Sequence, residues 1–239
     1  MTKIHSIEEE EFNYDDDNDY DLFEQEEEEE EDTRIDIFNT DKSYSIIYAD
    51  PSWEYDQSTE ELLKLPVGRV ADENCALLLW VNEARLHEAQ EVIKQWGFSN
   101  EKIAFVWVKT TEDDNGQQTY YLGQTGNLTR ENVEFCLLAT KGTLQRVNDK
   151  IPQGITWPIE KEKPNYVKPE LFKQLTVQLL GDLPALELFP DPEALELEFQ
   201  VNIIYNGQRI EWDMAASREY LTQLAEERRA EMHNIESGT

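Results

Sequence analysis

The sequence predicts an α/β domain with a mostly parallel β-sheet and helices on both of its faces. From residue 44 onward, short apolar runs alternate with segments of helical periodicity, which is the pattern of strands joined by crossover helices. One run, CALLLWV at residues 75–81, is apolar without interruption, as expected for a strand that helices cover on both sides. The length of 239 residues is enough for one such domain with appendages.

Five apolar runs are the predicted core strands. They cover Tyr44–Ala49 and residues 75–81, 102–109, 134–140 and 185–189. The second run should be the central strand because it is apolar throughout. A polar, glycine-containing loop separates the third strand from the fourth at residues 110–132, and a loop of this length in a compact domain is usually functional or mobile.

Two predicted helices connect these strands. Residues 85–96 and 169–180 each place apolar side chains three or four positions apart on one stripe. Gly97 and Gly181 follow them, where helix C-caps fall. Further along the chain, Asn206-Gly207 separates two strand-like runs and predicts a tight β-hairpin.

Negative charge is concentrated at the N-terminus. Met1–Thr33 carries 17 acidic residues against one basic residue, and the rest of the chain carries −15 of the total of −31. Charge repulsion and a shortage of apolar side chains predict that residues 1–33 are disordered. We therefore divide the chain into an acidic tail (1–33), an α/β domain (34–191) and an extension (192–239) that contains the hairpin and a charged helix at residues 215–232.

Composition also restricts the location and the partners. Duplex binding draws heavily on Lys and Arg that neutralise phosphates, so this acidity argues against a basic groove that holds nucleic acid unaided. No apolar run approaches the ~20 residues of a membrane span, and the N-terminus is no signal peptide. We expect a cytoplasmic protein, or a nuclear one in a eukaryote, without a membrane partner. Cys75 and Cys136 lie in apolar runs without a CxxC motif or a nearby His cluster, so we expect buried cysteines and no metal.

The tetrapeptide Asp50-Pro51-Ser52-Trp53 directly follows the first strand, where ligands bind in open α/β sheets. Methyl transfer to an exocyclic adenine amine needs acceptors that hold the amine hydrogens and orient the lone pair. The Asp50 carboxylate and the Pro51 carbonyl are two such acceptors, and Trp53 offers a face for base stacking, worth ~1 to 3 kcal/mol. Taken alone, the tetrapeptide favours a simpler interpretation, in which Asp-Pro forms a turn and Trp53 packs in the core.

Six segments, in order along the chain, together resemble the MT-A70 family of S-adenosylmethionine-dependent adenine-N6 methyltransferases. They are YADPSW (48–53), CALLLWV (75–81), AFVWVK (104–109), LGQTGNLTRENVEFCLLATKG (122–142), KPELF (168–172) and LELF (186–189). The resemblance implies a Rossmann-like methyltransferase fold, S-adenosylmethionine as the cofactor and nucleic acid as the substrate, with DNA favoured over RNA.

The resemblance also implies roles for particular residues. The catalytic motif comprises Asp50, Pro51 and Trp53. The cofactor site comprises Asp36 and Ile37 at the adenine, Lys168 at the methionine carboxylate and Glu187 at the ribose hydroxyls. The side facing the target base comprises Asn127, Thr129, Arg130 and Glu134. Without the family pattern, Lys168 and Glu187 would be ordinary solvated charges and Arg130 would belong to a surface ion pair.

The sequence also departs from the family pattern. Ser52 replaces the second proline of the motif, and Asp191 stands where an arginine is usual after Glu-Leu-Phe. The closing motif of the family has only a faint echo at residues 211–213. Three hypotheses therefore stay open. The chain is an active adenine-N6 methyltransferase, a non-catalytic methyltransferase-like subunit that serves as scaffold or regulator of a basic or active partner, or an acidic interaction protein whose tail mimics the charge of nucleic acid.

Overall fold

The computed structural model describes residues 34–51, 53, 59–123, 128–159, 168–190, 203–210 and 212–215. All of them fall within one compact unit, Arg34–Thr239. The acidic tail and the predicted helix beyond residue 215 lie outside the described residues, so the disorder of the one and the helicity of the other stay predictions.

The described elements are ten strands, four α-helices and one 3₁₀ turn. The strands are β1 (Tyr44–Ala49), β2 (Ala71–Val81), β3 (Ser99–Glu112), β4 (Gln118–Tyr120), β5 (Val133–Lys141), β6 (Gly154–Pro158), β7 (Ala185–Leu188), β8 (Ile203–Tyr205), β9 (Gln208–Ile210) and β10 (Asp213–Met214). The helices are α1 (Thr59–Lys64), α2 (Val67–Val70), α3 (Leu86–Gln95) and α4 (Leu171–Leu180), with the 3₁₀ turn at Glu83–Arg85. No described helix is both long and apolar enough to cross a membrane.

The central sheet is mixed. Its strand order is β10-β7-β1-β2-β5-β3, with β4 and β6 both paired to β3, so β2 lies in the middle as predicted. From β10 to β2 the strands are parallel, whereas β5 runs antiparallel to both of its neighbours. The chain passes from β2 to β3 through α3, which allows a parallel crossover. Between β3 and β5 the described residues contain the β4 hairpin and no helix, which favours antiparallel pairing.

Alternate residues of the strands enter two hydrophobic clusters. Leu77 and Leu79 belong to a cluster that includes the buried residues of α3, which we call the α3 cluster. Leu78 and Trp80 belong to a second cluster that includes the buried residues of α4, the α4 cluster. In the α4 cluster, Phe172 packs edge-on against the Trp80 ring, with the ring centroids 4.7 Å apart. This geometry adds about 0.5 to 1.5 kcal/mol to the stabilisation that comes from burying the two rings.

Two local predictions are confirmed at glycine positions. Gly181 ends α4 with a φ of 94°, a value that glycine tolerates far better than other residues. At the tip of the β8–β9 hairpin, Asn206 has a φ of 51° and Gly207 has a φ of 78°. Positive φ at both central residues is the signature of a type I′ turn, which Asn-Gly favours.

The predicted loop at residues 110–132 is partly wrong. β3 extends to Glu112 and pairs with β4, so the first part of this segment is a β-hairpin. Its turn is stabilised by Asp113, whose Oδ1 accepts hydrogen bonds from the backbone amides of Asn115 and Gln117, both at 2.8 Å. These strand ends are polar on both sides, so they lack the alternation that identifies a half-buried strand. The short strand β6 was not predicted either.

Candidate active site at the carboxyl edge of the sheet

One edge of the sheet brings distant parts of the chain together. β1 and β7 end at this edge, and β5 begins there because it runs antiparallel to β2. Asp50 directly follows β1, and its backbone amide donates to the Leu188 carbonyl at 3.5 Å. Glu134, the second residue of β5, pairs in register with Trp107 of β3. The two acidic residues therefore share the edge that the sequence predicts for ligand binding.

Lys168 joins these two acids. Its Nζ lies 2.8 Å from Asp50 Oδ1 and 2.8 Å from Glu134 Oε2, and its side chain is only 7% exposed. The other oxygen of Glu134, Oε1, forms an ion pair with Lys109 at the same edge. Opposite charges thus alternate from Asp50 to Lys168, Glu134 and Lys109, which offsets much of the free-energy cost of removing each group from water.

The network shifts the pKa values of its members. Burial raises the pKa of Asp50 to about 6; Lys168 opposes this shift, and the negative charges of Glu134 and Glu187 add to it. Burial acts to raise the pKa of Glu134 too, but Lys168 and Lys109 outweigh it, so that pKa lies below its usual value. Burial acts to lower the pKa of Lys168, yet Asp50 and Glu134 raise it above the usual value. At neutral pH the lysine is therefore charged, and Asp50 is the group closest to titration.

Aromatic rings lie beneath the lysines. Lys168 Nζ is 5.4 Å from the centre of the Trp80 ring, and Lys109 Nζ is 4.9 Å from the centre of the Trp107 ring. Trp80 is fixed in turn, because its Nε1 donates to the Tyr48 hydroxyl at 2.7 Å. Cation–π contacts of this kind favour a charged lysine at a partly desolvated position.

Glu187 forms a separate ion pair at the same edge. It is the third of the four residues of β7, it is buried, and its Oε2 lies 2.6 Å from Lys173 Nζ of α4. Glu187 pairs in register with Tyr48 of β1, two residues before Asp50. The carboxylate that the resemblance assigns to the cofactor ribose therefore lies close to the predicted catalytic motif.

The rest of the predicted catalytic motif is buried. Pro51 is buried, and Trp53 is 8% exposed within the α3 cluster. Trp53 Nε1 donates to the Trp80 carbonyl at 2.7 Å, which fixes the ring beside the strand that supports Lys168. This placement agrees with the simpler interpretation of the tetrapeptide for Trp53, and base stacking on this ring stays a prediction.

Asp36 and Ile37 lie beside β10. Ile35 forms a parallel bridge with Ala215, whose amide donates to the Glu187 carbonyl, so the two residues that follow Ile35 approach the same edge. Asp36 Oδ1 accepts from the Phe38 amide at 2.8 Å and Oδ2 accepts from Asn39 Nδ2 at 2.6 Å. Ile37 is fully buried. Asp36 thus stabilises the turn that places Ile37 in the core.

The residues predicted on the target side divide into two groups. Glu134 is drawn into the ion network, whereas Thr129 and Arg130 are exposed just before β5. Asn127 lies outside the described residues. Glu134 is therefore the predicted target-side residue that the structure brings to Asp50, through the Lys168 ammonium that both carboxylates share.

Two functional candidates were missed by sequence reasoning, namely Lys109 and Lys173. Both carried a recognisable signal: Lys109 directly follows the apolar run FVWV in β3, and Lys173 is the only charged residue of α4, LFKQLTVQLL. A charged residue at a position of core periodicity is usually paired when it is buried. Cys75 and Cys136 are buried and unpaired, as predicted, and the described residues contain no cluster of His, Cys, Asp and Glu that could hold a metal ion.

Comparison with known proteins identifies the family of the chain. A family model described as MT-A70 matches residues 44–194, which is well over half of the chain. The Type II methyltransferase M.MunI of Mycoplasma sp is 25% identical over 135 residues, covering 43% of this chain and 53% of that protein. The chain therefore spans about half the length of this relative.

The α/β fold with its mixed central sheet is consistent with a methyltransferase fold. The chain belongs to the MT-A70 family, so the resemblance seen in the sequence is confirmed. The matched range contains Asp50, Glu134, Lys168 and Glu187, and it excludes Asp36 and Ile37.

Proposed function

We propose that this protein is an S-adenosylmethionine-dependent adenine-N6 methyltransferase that acts on nucleic acid, with DNA favoured over RNA. The observation that carries the proposal is the position of Asp50. It follows a buried strand, precedes the Pro51 carbonyl, and is held by Lys168 at the edge where α/β sheets bind ligands. The proposal includes a Rossmann-like arrangement with helices on both faces, which the separate packing of α3 and α4 supports.

The residues at this edge fit the chemical groups of S-adenosylmethionine. A buried carboxylate, Glu187, suits the ribose hydroxyls, and the Lys168 ammonium suits the methionine carboxylate. Asp36 and Ile37 are proposed to lie at the adenine. The bound cofactor would supply the methyl group that is transferred. In the structure Lys168 bonds to Asp50 and Glu134, so it would have to share its hydrogens with an incoming carboxylate.

The proposed mechanism uses the protein residues to position the target amine. The Asp50 carboxylate and the Pro51 carbonyl accept its two hydrogens, which directs the nitrogen lone pair toward the methyl group. Lys168 and Glu134 fix the Asp50 side chain, so positioning and electrostatics provide most of the rate increase. The methylated amine then loses a proton, which ionised Asp50 accepts. Trp53 would support the motif from within the core.

The acidity of the chain bears on its substrate and its partners. A target adenine must leave the base stack, so single-stranded or flipped substrates are expected. Phosphate binding needs cations, and the chain outside the acidic tail carries a net charge of −15. A basic partner subunit that supplies these contacts is therefore part of the proposal. A cytoplasmic location, or a nuclear one in a eukaryote, is proposed with it.

The test begins with binding and then measures methyl transfer. Isothermal titration of S-adenosylmethionine into the full chain and into Glu187→Ala should give saturable binding that the variant loses. Transfer of labelled methyl groups to adenine-containing single-stranded DNA, duplex DNA and RNA should then fall at least about 100-fold in Asp50→Asn, because the side chain loses its negative charge and its ability to take up the proton of the reacting amine. Lys42→Met, which removes an exposed lysine paired with Asp213, should retain full transfer.

A second candidate function is a non-catalytic subunit. It is favoured by the direct ion pair between Asp50 and Lys168, which engages Oδ1, one of the two oxygens with which Asp50 could hold a target amine. A folded wild-type protein that binds no S-adenosylmethionine would support this candidate and contradict the first. Adding a basic partner and finding restored binding would instead support an enzyme that is complete only in a complex.

A further inference from the structure

Lys173 is an unusual residue for its position. It is the only charged residue of α4, LFKQLTVQLL, and its side chain is 15% exposed. Ordering a lysine side chain and removing its charge from water both oppose folding, so a buried lysine needs a compensating partner. Its partner is Glu187, with Nζ 2.6 Å from Oε2, and the Glu187 side chain is 8% exposed.

This ion pair adjoins the catalytic motif. Lys173 Nζ lies 5.8 Å from the centre of the Tyr48 ring, and Tyr48 is the register partner of Glu187 on the neighbouring strand. The pair is distinct from the network of Asp50, Lys168 and Glu134, because each group has its own lysine at hydrogen-bond distance. Lys173 therefore acts on a different carboxylate from the one that would hold the target amine.

We propose that Lys173 is a positioning residue of the cofactor site, which acts through Glu187 by fixing its Oε2 and neutralising its charge so that the carboxylate is ready to bind ribose hydroxyls. The inference rests on the proposed function, in which Glu187 binds the cofactor ribose. The sequence resemblance assigned no role to Lys173, and no other described residue is seen within ion-pair distance of Glu187.

The physical reason lies in the strength of the hydrogen bonds. A carboxylate accepts roughly twice as strong a hydrogen bond as a neutral oxygen, but a buried carboxylate without a counter-charge is disfavoured as an anion. Lys173 supplies the counter-charge that stabilises the Glu187 anion, and it also restricts the rotamer of Glu187. Loss of the lysine should therefore weaken the recognition of a hydroxyl more than the recognition of the rest of the ligand.

The experiment measures that recognition directly. Dissociation constants of S-adenosylhomocysteine and its 2′-deoxy analogue are determined by calorimetry for the full chain. The wild-type protein should prefer the ribose form by about 10-fold or more, as expected for a hydrogen bond to a charged group. Lys173→Met and Glu187→Gln should each lower the preference to about 3-fold or less, and Lys173→Arg should restore most of it because the charge is kept. Lys42→Met is the matched control and should behave as wild type, because its partner Asp213 is exposed.

Each outcome decides a different point. A Lys173→Met protein that keeps the full preference, while Glu187→Gln loses it, overturns the role of Lys173 and leaves Glu187 in the cofactor site. Full preference in both variants removes Glu187 from the site, and with it the role of Lys173. No binding of either ligand by the folded wild-type chain overturns the proposed function and this inference together. Lys173→Gln is measured in parallel and decides the matter if circular dichroism shows that Lys173→Met does not fold.

Discussion

The α3 cluster and the α4 cluster are built from alternate residues of the same strands, but they differ in charge. The α3 cluster consists of apolar residues, including Leu77 and Leu79. On the other side of these strands, the α4 cluster adjoins Lys168 and Lys173 and their carboxylate partners. One set of strand residues therefore stabilises the domain by burial alone, while the alternate set ends in the charges that form the candidate site.

The largest expected effect is at the centre of the ion network. Lys168→Met should lower the free energy of unfolding by about 3 to 5 kcal/mol at pH 8, because Asp50 and Glu134 lose the cation they share. Urea unfolding measures the change. The loss should shrink at pH 5, where Asp50 takes up a proton. A loss below about 1 kcal/mol at both pH values would show that the network contributes little to folding.

A substitution in the α3 cluster should also destabilise the protein, but its effect should not depend on pH. Leu79→Ala should lower the free energy of unfolding by about 2 to 5 kcal/mol, because it leaves a cavity in a fully buried cluster. This loss should be the same at pH 5 and pH 8, since no titrating group is removed. The affinity for S-adenosylmethionine of the folded variant should stay within about 3-fold of wild type. A pH-dependent loss would mean that the two clusters are energetically coupled.

Asp50 should make the protein less stable as the pH rises. Its pKa is about 6 in the folded protein against an ordinary value of 3.8, so the folded state holds this proton more tightly than the unfolded state does. The contribution of Asp50 is fully present below about pH 4 and is lost as the pH rises through about 6, by about 3 kcal/mol in all. Asp50→Asn removes this term. The stability of the variant relative to wild type should therefore increase from pH 4 to pH 7 in urea titrations.

Methyl transfer should show the opposite dependence on pH. Because ionised Asp50 is the proposed acceptor, the rate should rise with an apparent pKa near 6. The ionised form that is needed for the reaction is thus the form that destabilises the fold. A rate that does not change between pH 5 and pH 8 would show that methyl transfer does not depend on the ionisation of Asp50.

The smallest expected effect is at an exposed ion pair. Lys42 and Asp213 are 2.9 Å apart, but their side chains are 58% and 39% exposed, so water screens the interaction. Lys42→Met should change the free energy of unfolding by less than about 1 kcal/mol. Adding salt should reduce even that difference. An effect as large as that of Lys168→Met would mean that burial is not what separates the two ion pairs.

Much of the sheet was predictable because its strands bury apolar side chains. Tyr44–Ala49 was predicted with its observed bounds, and the apolar run at residues 75–81 identified the central strand although β2 begins four residues earlier. β4 and β6 were missed because they are short and mostly exposed. Their pairing with β3 depends on tertiary contacts, which leave no regular hydrophobic pattern in a short segment.

The candidate site was also predictable only in part. The motif that begins at Asp50, together with Lys168 and Glu187, could be found from the resemblance of the sequence to a family. Their partners could not, because ion pairs such as Lys173–Glu187 join residues from different elements. Lys109 shows the same limit, since the antiparallel direction of β5 is what brings Glu134 to it.

Local features of the chain were enough to predict five core strands, the two long helices, the hairpin turn at Asn206-Gly207 and the family, because periodicity, turn chemistry and motif order are properties of the local chain. The mixed sheet and the lysine partners of Asp50, Glu134 and Glu187 became visible only in the folded arrangement. Those features depend on strand direction and register, and a shift of one residue in register would turn each side chain to the other face. The charges of this site therefore meet only after the sheet has formed.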